Sequence, residues 1–123
     1  MPKIPAKYGK VLFVDDEKDI GDLFGDTFND LGITWKYASN GAIALEILET
    51  ENFDLVISDI RMPIMDGFRL LQEIKKRKIE VPEFIFLTGY ADHDPADLIK
   101  AGAKAVYGKP LDLSDLEKIL RKN

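Results

Sequence analysis

Five short apolar runs punctuate the chain, at Val11 to Val14, Ile33 to Ala38, Leu55 to Ser58, Phe84 to Leu87 and Ala105 to Tyr107. The third, bounded by turn signals, has the pattern of a strand buried on both faces. Between the runs the apolar positions change to a three-four rhythm. Ile20, Leu23, Phe24, Phe28 and Leu31 share one helical face, and Gly32 follows as a C-cap should. Gly21 and Gly25 each cost that helix about 1 kcal/mol relative to alanine, which close packing against the sheet would explain. Ala42 to Leu48 is apolar nearly all round, with Ser39 or Asn40 available as its cap. Leu70, Leu71 and Ile74 make a third stripe, and the basic run Lys75 to Lys78 reads as its solvated, dipole-complementing end. Asp94 to Ala101 forms a short helix with Pro95 in its first turn and Gly102 as its stop. The last helix opens on a capping box, Ser114-x-x-Glu117, and buries Leu113, Leu116, Ile119 and Leu120. Strand and helix alternate five times, so the pattern predicts an α/β domain with a five-stranded parallel sheet and helices on both faces.

Composition narrows the function classes. A chain of 123 residues is expected to be a single domain, 10–123, behind a flexible tail at 1–9 that carries Pro2, Pro5 and Gly9 among lysines. No apolar run approaches the roughly 20 residues that span a bilayer, and no secretion signal is seen, so a cytoplasmic location is the expectation. With no cysteine, disulfides and thiol chemistry are excluded. A net charge of −5 opposes nucleic-acid binding. Trp35 and Tyr37 share a strand face and read as packing residues, and His93, between Asp92 and Asp94, reads as a solvated loop residue.

The ends of the apolar runs carry the chemistry. The first runs into Asp15 and Asp16, the third into Asp59, the fourth into Thr88, and the fifth leads to Lys109; the second strand ends without a reactive group. In parallel α/β sheets ligands bind at the strands' carboxyl ends, so these residues are expected at one edge. Three carboxylates in one place raise one another's pKa unless a cation intervenes. An all-oxygen ligand set suits Mg²⁺, which keeps several waters and takes one or two carboxylates plus a phosphate oxygen. Lys109 and Thr88 would hold the remaining oxygens of a phosphoryl group, and Asp59 is the candidate nucleophile for an acyl phosphate.

Val14-Asp15-Asp16-Glu17, the stretch Asp59-x-x-Met62-Pro63-x-Met65-Asp66-Gly67, Thr88 and Lys109-Pro110 together resemble the receiver domain of two-component response regulators, over residues 10 to 121. The resemblance implies the flavodoxin-like doubly wound fold with strand order 2-1-3-4-5. It implies that Asp59 accepts a phosphoryl group from the phosphohistidine of a histidine kinase or phosphotransfer protein, with Mg²⁺ held by Asp16 directly, by Asp15 through water, by Asp59 and by the Arg61 carbonyl. Thr88 and Lys109 would grip the phosphoryl oxygens, and the Lys109-Pro110 peptide would be cis. A receiver of this kind is a phosphoprotein of the phosphorelay, not an enzyme beyond its own phosphotransfer and autodephosphorylation. It acts on a downstream protein or a fused output domain, as a monomer or a phosphorylation-dependent dimer.

One departure concerns the switch. Family members usually carry an aromatic residue three places before the lysine; here that place is Val106, and Tyr107 falls on the opposite strand face. Arg61 and Tyr90 occupy positions that modulate phosphoryl lifetime in similar proteins, and Tyr90 is expected to shield the acyl phosphate. Two alternatives stay open at this level: a Mg²⁺-dependent phosphohydrolase with an aspartyl-phosphate intermediate, and a receiver-like interaction domain that works without phosphorylation.

Overall fold

A computed structural model describes residues 6–89 and 94–121. In chain order the elements are β1 (Lys10–Val14), α1 (Lys18–Asp30), β2 (Thr34–Ala38), α2 (Gly41–Thr50), β3 (Leu55–Asp59), α3 (Gly67–Lys76), β4 (Glu83–Thr88), α4 (Pro95–Ala101), β5 (Ala105–Gly108) and α5 (Leu113–Leu120). All pairings between strands are parallel, in the order β2-β1-β3-β4-β5. The alternation of strands and helices and the strand order are those expected from the sequence.

Strand alternation divides the core in two. Leu12, Val14, Val56, Phe84 and Phe86 face α2, α3 and α4, where Leu45, Leu48, Leu70, Leu71, Ile74 and Leu98 meet them. Val11, Phe13, Leu55, Ile57, Ile85 and Leu87 face α1 and α5, against Phe24, Phe28, Leu116 and Leu120. The central strand β3 is buried at every position, Asp59 included. A short, continuous apolar run is what such a doubly covered strand requires.

The α1 glycines have a packing reason. A Cβ at Gly25 would stand 2.2 Å from the Trp35 ring, and one at Gly21 would stand 2.8 Å from the Tyr37 ring. The two aromatic residues of β2 thus lie directly on α1, and only glycine leaves them room.

Some local expectations change. Ala6 to Gly9 do not form part of a loose tail: Ala6 makes an antiparallel bridge with Arg121, the Lys7 N–H donates to the Leu120 carbonyl at 2.6 Å, and Tyr8 is buried. Residues 1–5 lie outside the described residues. Helix α5 is capped not by Ser114 but by Asp112, whose carboxylate accepts the Asp115 N–H at 2.8 Å. Leu113 is consequently exposed at the first turn, and Leu23 on α1 is exposed too. Of the two cap candidates for α2, Asn40 takes the role as expected, accepting the Ile43 N–H at 2.9 Å. Arg77 is not merely solvated, because it donates to Glu49 at 3.0 Å and to Glu73 at 3.3 Å.

Candidate functional site

The carboxyl ends of the strands bring the acidic residues together. Asp15 follows β1 directly and Asp59 is the last residue of β3, so adjacent parallel strands deliver both side chains to one edge. Carboxylate oxygens of Asp15, Asp16 and Asp59 lie within 4.8 Å of one another. The Lys109 ammonium, carried in by the loop after β5, donates to Asp15 Oδ2 and to Asp59 Oδ2, each at 3.0 Å.

The three carboxylates are not equivalent. Asp15 is fully buried, and its second oxygen accepts the Glu17 N–H at 2.8 Å. Asp59 is 9% exposed and accepts the Ile60 N–H at 2.8 Å. Asp16 is exposed. Burial pushes the Asp59 carboxyl above the ordinary aspartate range; the Lys109 hydrogen bond and charge oppose this, and the Asp15 charge adds to it. Burial by itself would lower the Lys109 pKa, but its two carboxylate partners win and hold it above the usual lysine value. Lys109 contacts two of the three carboxylates, and a bound cation would relieve the repulsion among all three.

The neighbouring positions follow. Thr88 ends β4 half-buried, and its carbonyl accepts the Lys109 N–H at 2.8 Å, which pins the lysine's main chain beside the site. The Lys109-Pro110 peptide is cis. Asp16, Glu17, Asp59, Arg61, Gly89 and Lys109 line an open cleft of about 350 Å³. Val106 packs toward α2, α3 and α4, whereas Tyr107 packs on the side of α1 and α5, as strand alternation requires. Tyr90 and His93 lie outside the described residues.

The loop from β3 to α3 is tightly tied. The Gly67 N–H donates to the Ile60 carbonyl at 2.8 Å, the Gly41 N–H to the Met65 carbonyl at 2.9 Å, and the Met65 N–H to the Pro63 carbonyl at 2.7 Å. A Cβ at Gly67 would stand 2.1 Å from the Asp59 carbonyl oxygen, so the loop closes only over glycine. The Pro63–Met65 hydrogen bond makes a γ-turn centred on Ile64, at φ 70° and 85% exposed. A β-branched residue there is strained.

The geometry matches a known family. The sequence model described as "Response regulator receiver domain" matches residues 11–121. The chain belongs to that family. It is a receiver domain of two-component response regulators, a signalling domain of phosphorelays. It is 33% identical to the regulatory protein AtoC of Escherichia coli over 92% of this chain and 24% of that protein. It is also 33% identical to the sporulation initiation phosphotransferase F of Bacillus subtilis, over 92% of this chain and 91% of that protein. The chain thus spans about a quarter of the first relative and nearly all of the second. Among solved structures it superposes on a chain of the CheX-CheY-BeF3-Mg+2 complex from Borrelia burgdorferi with a TM-score of 0.81 and 27% identity, covering 89% of this chain and 84% of that one. No described helix is long and apolar enough to cross a membrane.

One contributor is not legible as such in the sequence. Tyr37, read there as packing, directs its hydroxyl to the Asp15 carbonyl at 2.5 Å. Burial, then the charges of Asp15, Asp16 and Asp22, raise its pKa, so the hydroxyl remains a donor. The period-two pattern places the ring on a face but not the hydroxyl against a particular carbonyl.

Proposed function

We propose that this receiver accepts its phosphoryl group on Asp59. The observation that carries the reading is the Lys109 ammonium held 3.0 Å from both Asp15 and Asp59, with three carboxylates within 4.8 Å at the strands' carboxyl edge. An Asp59 oxygen attacks phosphorus of a partner's phosphohistidine; an O–P bond forms, the N–P bond breaks, and the imidazole leaves with the electron pair and takes up a proton. Lys109 balances charge on the phosphoryl oxygens, and Thr88 supplies a hydroxyl donor beside them.

The donor set fits a hard divalent cation, being all oxygen, with no histidine or cysteine in the cluster. Asp15, Asp16, Asp59 and the Arg61 carbonyl would hold Mg²⁺. When bound, it offsets the charge of the carboxylates and of the incoming phosphoryl group. A BeF3- and Mg²⁺-containing complex of the similar chemotaxis protein supports this assignment. The partners follow from the same reading: a histidine kinase or phosphotransfer protein upstream, and a protein or fused output domain downstream. The switch would run from Thr88 into β5, where Val106 and Tyr107 face opposite layers.

The test is incubation with phosphoramidate and Mg²⁺, followed by intact mass. Wild type should gain one phosphoryl adduct and Asp59→Asn none. An equal adduct in Asp59→Asn, or none in wild type, would overturn the assignment.

A further inference from the structure

Strand β2 ends without a carboxylate or ammonium group, yet it reaches the acidic turn. Tyr37, its penultimate residue, donates its hydroxyl hydrogen to the Asp15 carbonyl at 2.5 Å, and the Asp15 N–H donates to the Ala38 carbonyl at 3.1 Å. Both main-chain polar groups of Asp15 are therefore tied to the end of β2. The ring is set by its seat on α1, where it occupies the space that a Gly21 side chain would need.

The two acidic residues of this turn depend on that tether differently. The Asp15 carboxylate is buried and held at both oxygens, by the Glu17 N–H and the Lys109 ammonium. The Asp16 carboxylate is exposed, and among the described residues no hydrogen bond holds it. Its direction rests on the main chain that carries it. The carbonyl that Tyr37 grips belongs to the peptide unit joining Asp15 to Asp16.

We infer that Tyr37 is a positioning residue for the metal site: its hydroxyl fixes the Asp15–Asp16 peptide plane, and with it the direction of the Asp16 carboxylate toward Asp15 and Asp59. This rests on the reading above that these carboxylates hold Mg²⁺. Partners that orient a metal's ligands are typically worth tenfold or more in affinity. Tyr37 acts through one peptide plane, so the lower end of that range applies.

Tyr37→Phe keeps the ring and removes only the hydroxyl. Calorimetric Mg²⁺ titration of the full chain should show Kd raised about tenfold, while the melting temperature without Mg²⁺ shifts by less than about 5 °C. Gly21→Ala, which crowds the ring, should also weaken Mg²⁺ binding, and should add little once combined with Y37F. An unchanged Kd in Y37F, or fully additive effects of the two substitutions, would overturn the role of Tyr37. If wild type itself bound no Mg²⁺, the metal-site reading would fall as well; wild-type binding with an unaltered Y37F sinks the positioning role alone.

Discussion

The two ends of the parallel sheet use the same residue types to opposite effect. At the amino end each carboxylate has its own partners. Asp54 accepts the N–H groups of Gly9 and Lys10 at 3.0 and 2.9 Å, Glu51 sits between Lys10 and Lys36, and Glu83 accepts from Lys104 at 2.7 Å beside the Tyr8 hydroxyl. At the carboxyl end Asp15 and Asp59 share Lys109, and Asp16 lies beside them. In the first arrangement these carboxylates have separate donors, and one buried Glu83 oxygen has no hydrogen-bond partner among the described residues. The second crowds three carboxylates at one edge, the kind of like-charge cluster found at functional sites.

Removing the cation at each end should separate them most sharply. Lys109→Ala leaves the fully buried Asp15 facing Asp59 without the ammonium they share, and loss of one partner of a buried pair costs about 3 kcal/mol. Urea unfolding in metal-free buffer should show this, and added Mg²⁺ should recover part of it. A loss no larger than that of a surface substitution would erase the distinction between the two ends.

The amino end should reveal itself at high pH instead. Burial, with Glu83 beside it, pushes the Tyr8 hydroxyl up to about 12 from its ordinary 10.0. A folded pKa above the unfolded one contributes stability that is complete below pH about 10 and is lost as pH rises through about 12. The loss should reach about 2 kcal/mol, and Tyr8→Phe should abolish this alkaline dependence. Glu83 behaves with the opposite sign: burial alone would raise its pKa, but Lys104 and Tyr8 hold it below 4.5. Its contribution is present above pH 4.5 and fades as pH falls through the lowered value, a dependence that Glu83→Gln should remove.

Each end has a non-glycine residue at positive φ, Lys78 before β4 and Ile64 after β3, and the β-branched one is at the carboxyl end. Ile64→Asn should stabilise the protein by about 1 kcal/mol, because asparagine tolerates positive φ better than a β-branched residue. Equal stability would mean that the γ-turn at Ile64 stores nothing. The smallest effect should come from Lys104→Ala, where a partly exposed pair is worth below about 1 kcal/mol. A larger loss there would show that the amino end, too, depends on a single cation.

The sequence pattern carried the elements and the edge. Short apolar runs that stop at Asp15, Asp59 and Thr88 locate strands and their ends because a doubly buried strand tolerates few polar positions before it emerges. It also placed Val106 and Tyr107 on opposite faces, since alternation along a strand is a local property. Other features depend on partners far away in the chain. Asp112 and Ser114 are both capping residue types, and only the folded backbone shows that the Asp112 carboxylate takes the Asp115 N–H. Residues 6 to 8 are held because Tyr8 finds a place beside Glu83 and Lys104, which local composition cannot show. The Tyr37 hydroxyl meets the Asp15 carbonyl only once β2 lies beside β1 and Gly21 makes room for the ring. Hydrophobic periodicity is written locally in the chain, whereas a hydrogen bond across 22 residues exists only when packing sets two strands and a helix in register.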